Sequence, residues 1–265
     1  MKRAIVLMTA IVLLMAFSGC TPGQNKTTSE PTGAVSGAVE TAGGSTGSAA
    51  PADAKTVSKA YETYSGVKTE FLAKLTEALA QNRETAVAAM SLLSLVSVEL
   101  DLIPIALLGQ GEQAIAIGLA IMGATDVKHE ESGGNHSISY ADKNGTSYLL
   151  SVAYDAGADA LVCINTKDGK ENIYAEYQKT GYGYAAQYYI VNEKGEGRLY
   201  QLSLSGEDGV VGVSKNVDKP SALTGGESAD FPKACSEWYA TTGKTVTALP
   251  PSGVDLNFEY VPASA

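Results

Sequence analysis

The chain has 265 residues, of which 19 are Lys or Arg, 29 are Asp or Glu and 45% are hydrophobic. This composition is typical of a globular protein. The excess of acidic side chains repels phosphate groups, which argues against nucleic acid as a partner.

The first residues have the order of a secretory signal peptide. Lys2 and Arg3 give a basic start, an apolar run follows from Ala4 to Phe17, and small residues come next. The run is shorter than the roughly 20 residues that a membrane-spanning helix needs. The sequence therefore predicts export, with residues 1–19 removed.

The leader ends in Phe17-Ser18-Gly19-Cys20, which resembles the lipobox of bacterial lipoproteins, although Phe17 replaces the usual Leu. The resemblance covers the leader alone. It implies cleavage before Cys20 and a diacylglyceryl group on its sulfur, and two acyl chains suffice for stable attachment. We therefore expect a lipid-anchored protein on the extracytoplasmic face of the cell membrane, or in the outer membrane if the host has two. The alternative is an ordinary secreted protein with a cysteine near its cleavage site.

Residues 20–53 are predicted to be the lipid anchor and a disordered tether. The segment is rich in Ser, Thr, Gly, Ala and Pro and contains no aromatic residue, so it cannot bury enough apolar surface to fold.

The next part of the chain, residues 54–125, is predicted to be helical. An apolar stripe at three- and four-residue spacing predicts an amphipathic helix from about Ala54 to residue 80, with charged residues such as Lys68 mostly off the stripe. A second helix, apolar nearly all round, is predicted from about Glu84. Charges within this second segment argue against a membrane span, and Pro104 should end or kink the helix. Residues 111–123 fit a helix or a strand, and we favour a helix.

The spacing of apolar residues changes from about 3.6 to 2 at His136. Short alternating segments separated by turn sequences follow, which predicts antiparallel strands over residues 136–265. We expect seven strands to about Lys215, a looser stretch over residues 216–252 and a last strand near the C-terminus. The fold class is thus α+β, with two or three N-terminal helices packed on a curled, half-barrel-like antiparallel meander of about seven to eight strands, in one folded domain over residues 54–265.

Alternation on these strands predicts one apolar face of the sheet. The face comprises Tyr148, Leu150, Val152, Tyr154, Tyr184, Tyr188, Ile190, Tyr200 and Leu202. We expect the helices to cover it, which leaves either a packed core or an apolar cavity between the layers. The order of elements resembles the half-barrel of lipoprotein-carrier and lipid-transfer envelope proteins, and this resemblance implies a lipid or other apolar ligand in such a cavity.

Three further groups of residues allow two interpretations each. Cys163 and Cys235 could form a disulfide in an oxidising compartment, or they could be two buried thiols. Seven tyrosines between Tyr174 and Tyr200 could form a stacking platform for sugars, but strand propensity explains them more simply. His129 and His136 bracket two glutamates, but their spacing matches no zinc signature and residues 126–135 are interpreted as a solvated connector. The sequence therefore predicts no metal site and no cofactor.

The sequence contains no nucleophile elbow, phosphate loop or zinc-binding helix motif, so an enzyme is not indicated. The first functional hypothesis is a non-enzymatic binding protein for an apolar or amphiphilic ligand. The second is a structural or interaction module that contacts cell-wall polymer or another envelope protein. A hydrolase with residues assembled from distant loops is a third, minor hypothesis.

Overall fold

The structure is a computed structural model in which residues 54–262 are described. The predicted signal peptide, Cys20 and the tether lie outside the described residues. Within them the chain forms three α-helices, namely α1 (Ala54–Ala80), α2 (Ala86–Leu107) and α3 (Glu112–Ile121). None of these helices has the combination of length and hydropathy that is needed to cross a membrane.

Eleven strands follow the helices and form one sheet in the described residues. They are β1 (Thr125–Ser132), β2 (Asn135–Ala141), β3 (Ser147–Asp155), β4 (Ala160–Lys167), β5 (Lys170–Thr180), β6 (Gly183–Val191), β7 (Gly197–Ser205), β8 (Asp208–Lys215), β9 (Glu237–Thr242), β10 (Thr245–Leu249) and β11 (Leu256–Glu259). Each strand pairs antiparallel with the next one in the chain, so β1 and β11 are the two edges. The predicted α+β class and antiparallel order are confirmed.

The predicted strand number was too small, and one error lies at the start of the sheet. The sheet begins at Thr125 and not at His136, because residues interpreted as a connector form β1 and the turn to β2. The strand β1 is an edge strand with mostly exposed, polar side chains, so it lacks the apolar alternation that identifies a half-buried strand. The turn is made by Gly133 and Gly134, both with positive φ, which is the conformation that a tight two-residue hairpin requires.

The second error lies in the stretch predicted to be loose. Residues 216–236 are irregular apart from a short 3-10 helix, Phe231–Ala234, but β9 and β10 follow within the same predicted stretch. These two strands are short, six and five residues, and give little alternation to detect.

Pro104 does not end α2, which continues to Leu107. A proline removes one backbone hydrogen bond of a helix. Here Leu102, Ile105 and Leu108 are buried in the core on both sides of the proline, and this packing holds the last turn in place.

One core fills the space between the helices and the sheet. α1 packs against α2 and contacts β7 and β9, α2 contacts β3, and α3 contacts β1. The helices contribute large side chains to this core, including Tyr61, Tyr64, Phe71, Leu75, Leu79, Leu95, Leu102, Ile105, Ile115 and Leu119. The side of the sheet that faces this core is called the helix side below, and the opposite side is called the back side.

Residues 216–236 lie on the back side and are called the strap below. Gln187 Nε2 donates to the carbonyl oxygen of Ser221 (2.8 Å), and the amide of Leu223 donates to Glu176 Oε1 (3.0 Å). The hydroxyl of Ser203 donates to the carbonyl oxygen of Ala229. Glu176, Gln187 and Ser203 are all buried in the structure, so the strap covers the polar back side of β5, β6 and β7.

Candidate functional site

The nine residues predicted to share an apolar face all lie on the helix side of the sheet. Six are buried in the core, namely Leu150, Val152, Tyr184, Tyr188, Tyr200 and Leu202. Tyr154 and Ile190 are partly buried against it, and Tyr148 stacks on Tyr140 with ring centroids 5.1 Å apart. The face that would line an apolar ligand cavity is thus part of the helix–sheet core.

Helix α1 covers the centre of this face. The Tyr64 ring stacks on Tyr177 with centroids 4.2 Å apart, meets Tyr184 edge-on at 5.5 Å, and its hydroxyl lies 2.7 Å from that of Tyr188. These four tyrosines therefore contact one another across the layer where a ligand would have to bind. Packing of the protein's own side chains in the core therefore accounts for Tyr177, Tyr184 and Tyr188 of the tyrosine cluster.

A buried ion pair lies beside the tyrosines. Lys68 is 2% exposed, although the sequence pattern suggested that it was off the apolar stripe, and its Nζ forms an ion pair with Glu99 of α2. Lys68 Nζ also donates to the Tyr188 hydroxyl (3.1 Å), and the Tyr61 hydroxyl donates to Glu99 (2.8 Å). Every charged group in this cluster thus has partners, as a buried charge requires.

The electrostatics of the cluster follow from its burial. Burial lowers the pKa of Lys68, while Glu99 acts in the opposite direction by stabilising the ammonium form. Burial and then Glu99 raise the pKa of Tyr61. Because the ion pair is enclosed by side chains of both layers, we interpret the cluster as part of the structural core and not as a substrate site.

A surface groove lies beside this core, between the N-terminal half of α1 and the strand ends near Asp159. It has a volume of about 720 Å³ and is open to solvent. Its lining combines polar, charged and aromatic side chains, namely Thr56, Lys59, Ala60, Thr63, Tyr154, Ala156, Asp159, Lys179 and Tyr184. A concave surface with a few converging polar groups is the usual form of a ligand site.

Asp159 organises the polar part of the groove. It adopts a positive φ of 45°, a conformation that Asp tolerates better than most residues, in the turn between β3 and β4. The hydroxyls of Tyr154 (3.0 Å) and Tyr184 (3.4 Å) both donate to its carboxylate. Burial, followed by these interactions with Asp159, raises the pKa of Tyr154 and of Tyr184, so both phenols remain donors at neutral pH.

Two lysines line the groove and are only loosely paired. Lys179 Nζ lies 3.9 Å from Asp159 and its side chain is 60% exposed, while Lys59 Nζ lies 3.8 Å from Glu62 and is 79% exposed. Such long, exposed ion pairs contribute little to stability, which leaves both ammonium groups able to donate to a ligand. The groove therefore offers two cationic donors, a carboxylate acceptor and the partly buried ring of Tyr154 within one small surface.

The outer surfaces of α2 and α3 are apolar. Exposed side chains include Val87, Met90 and Leu100 on α2 and Ile117 and Ile121 on α3, between 45% and 75% exposed. Large exposed apolar side chains are ordinary when scattered singly, but several on adjoining helices are typical of a contact surface. The sequence signal for this surface is the all-round apolar pattern of α2.

The predicted cysteine sites have different outcomes. Cys20 lies outside the described residues. Cys163 and Cys235 are buried free thiols, and no disulfide joins them in the structure. Cys163 lies on the helix side of β4, in register with Val152 and Ala175, whereas the Cys235 thiol donates to Gln201 Oε1 (3.3 Å) on the back side. Burial raises the pKa of both thiols, so neither has the thiolate character of a nucleophile.

His129, which was predicted to lie in a connector, and His136 lie together in the β1–β2 hairpin. His129, Glu131 and His136 each offer one metal-ligating atom, and these atoms all lie within 4.8 Å of one another. Sequence spacing did not indicate this group, because the residues converge through strand pairing and not through a known motif. The only signal was the glycine pair at 133 and 134, which marks the turn between them.

Comparison with known proteins gives no relative. No protein-family model, no curated protein and no solved structure matches this chain. Function must therefore be argued from the groove and the surfaces themselves.

Proposed function

We propose that this chain is a membrane-tethered, extracytoplasmic, non-enzymatic binding protein whose groove contacts a polar polymer of the cell wall. The groove carries this proposal, because it places Lys59 and Lys179 beside Asp159 and the Tyr154 ring. Wall polymers present carboxylates, hydroxyls and amides along a chain, and the groove holds a donor or acceptor for each of these groups.

The tether supports the same role. The acylation of Cys20 and the disorder of residues 21–53 are predictions from the sequence and lie outside the described residues. A flexible segment of roughly 33 residues has an end-to-end distance of about 30 Å, which would hold the folded part away from the lipid surface and towards the wall.

Co-sedimentation of the mature, full-length chain with insoluble cell-wall material tests the groove. Lys179→Gln removes an ammonium donor from its rim, and Asp159→Asn keeps the shape and the tolerance of positive φ while removing the charge. We expect each variant to weaken binding by about 10-fold, since a hydrogen bond to a charged group contributes about 1.5–3 kcal/mol.

Lys194→Gln is the matched control. Lys194 is an exposed lysine in the turn between β6 and β7, outside the groove lining, and the substitution makes the same change in net charge as Lys179→Gln. If the groove variants and Lys194→Gln bind the wall material equally, general electrostatics explains the binding and the proposal is wrong. Failure of the wild-type chain to sediment with the wall also contradicts it.

A second candidate function is the binding of an apolar or amphiphilic ligand such as a lipid. The observation that favours it is the exposed apolar surface of α2 and α3, because the helix side of the sheet is packed by the protein's own side chains. The half-barrel curvature that would enclose a lipid stays a prediction. A fluorescent fatty acid should bind the purified chain and be displaced by unlabelled fatty acid. The substitution Met90→Gln should weaken the binding of the fluorescent fatty acid. Absence of saturable binding removes this candidate and leaves the wall-polymer proposal unaffected.

A further inference from the structure

We propose that the β1–β2 hairpin holds a divalent transition-metal site, most suited to Zn²⁺, with His129, Glu131 and His136 as its three protein ligands. Two imidazoles and one carboxylate are the ligand set that zinc uses where three protein groups bind it and a fourth position stays open. This site is separate from the groove and does not depend on the function proposed for it.

Strand register brings the three residues to one side of the hairpin. His129 and Glu131 are two positions apart on β1, so their side chains point to the same side. His136 of β2 is directly opposite Glu131, and His129 is opposite Ile138, which is buried in the helix-side core. The turn at Gly133 and Gly134 fixes this register, because a two-residue turn with positive φ at both positions matches the twist of paired strands.

The distances suit a site that closes around an ion. The ligating atoms lie within 4.8 Å of one another, and the two imidazole rings are nearly parallel with centroids 5.9 Å apart. Bonds of about 2.0–2.2 Å to zinc would bring tetrahedral ligand atoms to roughly 3.4 Å from each other. Side-chain rotation can supply the remaining approach, because Glu131 is 44% exposed and free to turn.

Burial differs among the three ligands in a way that fits a metal site. The His136 side chain is fully buried, and its Nδ1 lies 3.7 Å from Glu131 Oε2. His129 is half-buried, and its Nε2 is enclosed without a hydrogen-bond partner among residues 54–262. A buried imidazole nitrogen without a partner is costly, and coordination would satisfy it. The exposed carboxylate leaves a path for the ion to enter and an open position for water.

Local charge also favours a cation. Glu130 adjoins Glu131 on β1, and the whole chain carries a net charge of −10. Zinc would add positive charge to a hairpin in which Asp126, Glu130 and Glu131 outnumber the single lysine, Lys128. It would also join an edge strand to its neighbour through side chains as well as through backbone hydrogen bonds.

Titration calorimetry of the chelator-treated, full-length mature chain with ZnCl₂ tests the proposal. The measurement is made at about pH 7.5, where most imidazoles are neutral and able to coordinate. We expect one Zn²⁺ per chain and a rise in melting temperature of several degrees at saturating zinc, because an ion that binds only the folded state stabilises it. Co²⁺ in place of Zn²⁺ should give the visible absorption of a four-coordinate complex.

Variants separate a site from general attraction to an acidic surface. His129→Gln and Glu131→Gln should each weaken zinc binding by at least about 10-fold. Glu130→Gln is the matched control, since Glu130 pairs with Ser137 on the opposite side of the hairpin and the charge change equals that of Glu131→Gln. Neither Glu131 nor His129 is buried in the core, so these variants keep the fold.

Two results would overturn the site. One is the absence of heat, thermal shift and cobalt absorption in the wild-type chain, which would mean that His136 and Glu131 form an ordinary histidine–carboxylate pair. The other is equal weakening by Glu130→Gln and Glu131→Gln, which would show that zinc binds diffusely to the acidic surface.

Discussion

Lys68 shows how residue type and position can disagree in a sequence. It lies four residues after Tyr64 and seven after Tyr61, which is the spacing of the buried side of α1. Its charge nevertheless suggested a solvated residue, since lysine is almost never fully buried unless it is paired. The partner that makes burial tolerable, Glu99, is on another helix, and sequence spacing does not predict contacts between helices.

The residue-scale prediction concerns this ion pair. Glu99→Gln removes the counter-charge and leaves the Lys68 ammonium buried beside neutral groups. We expect the free energy of unfolding at neutral pH to fall by about 3–5 kcal/mol, because this is the usual cost of removing one partner of a buried ion pair. Urea denaturation of the wild type and of Glu99→Gln measures this difference in the free energy of unfolding.

Glu70→Gln is the control for this experiment. Glu70 is an exposed residue of α1, and the substitution makes the same chemical change on the solvent side of the helix. We expect a change within about 0.5 kcal/mol. Equal effects of Glu70→Gln and Glu99→Gln would show that the buried pair contributes nothing specific.

At the scale of elements, what could be predicted depended on burial. The strands from β3 to β8 could be predicted from the sequence. One side of each strand is buried against the helices, so apolar and polar residues alternate along it. Strand β1 was missed because its side chains are polar and mostly exposed, and with it the sequence reasoning missed the hairpin that brings His129 next to His136. The groove could not be predicted at all, since its lining comes from α1, the turn between β3 and β4 and the ends of β3, β5 and β6, which meet only in the folded chain.

The strap is an element without regular structure, and it depends on one buried carboxylate. Glu176 accepts hydrogen bonds from the Tyr174 hydroxyl (2.8 Å), Gln187 Nε2 (2.8 Å) and the Leu223 amide (3.0 Å). A buried donor that loses its acceptor costs about 1–3 kcal/mol. Glu176→Ala should therefore lower the free energy of unfolding by at least that amount.

Hydrogen exchange locates the effect of Glu176→Ala on the strap. The Leu223 amide should exchange much faster in this variant than in the wild type, while amides at the centre of β6 change less. Glu171→Gln is the control, because Glu171 forms an exposed ion pair with Lys219 of the strap and makes no bond to its backbone in the structure. If exchange at residue 223 is unchanged in Glu176→Ala, the strap is held by other contacts.

At the scale of the whole molecule, the helix–sheet core contains several buried phenol groups. Burial raises the pKa of Tyr61, Tyr64, Tyr177 and Tyr188 well above the ordinary value near 10. A group whose pKa is higher in the folded state contributes stability that is complete below its unfolded pKa and is lost as the pH rises above it. Lys68, whose pKa burial lowers, acts in a lower pH window: its contribution to stability rises with pH up to about pH 10.5 and does not offset the loss above that pH.

We therefore expect the protein to unfold cooperatively in alkali. The midpoint of urea denaturation should not fall between about pH 7 and 9 and should fall steeply above about pH 10. The near-ultraviolet absorbance of phenolate should rise in two steps, first for exposed tyrosines and then, together with loss of helix signal, for the buried ones. A single tyrosine transition near the ordinary pKa, with the helix signal intact, would contradict the enclosure of these rings.

The linear order of the sheet has a consequence for how the chain is made. Neighbouring strands are also neighbours in sequence, so most of the sheet can form by local hairpin closure, which is the fast route for β structure. The exception is α1, which is synthesised before the sheet yet rests on β7 and β9, more than a hundred residues later. During synthesis its apolar side is covered mainly by α2 until β5 and β6, whose tyrosines contact Tyr64, and then β7 and β9 emerge. The interval before these strands arrive is when the nascent chain is most exposed to aggregation.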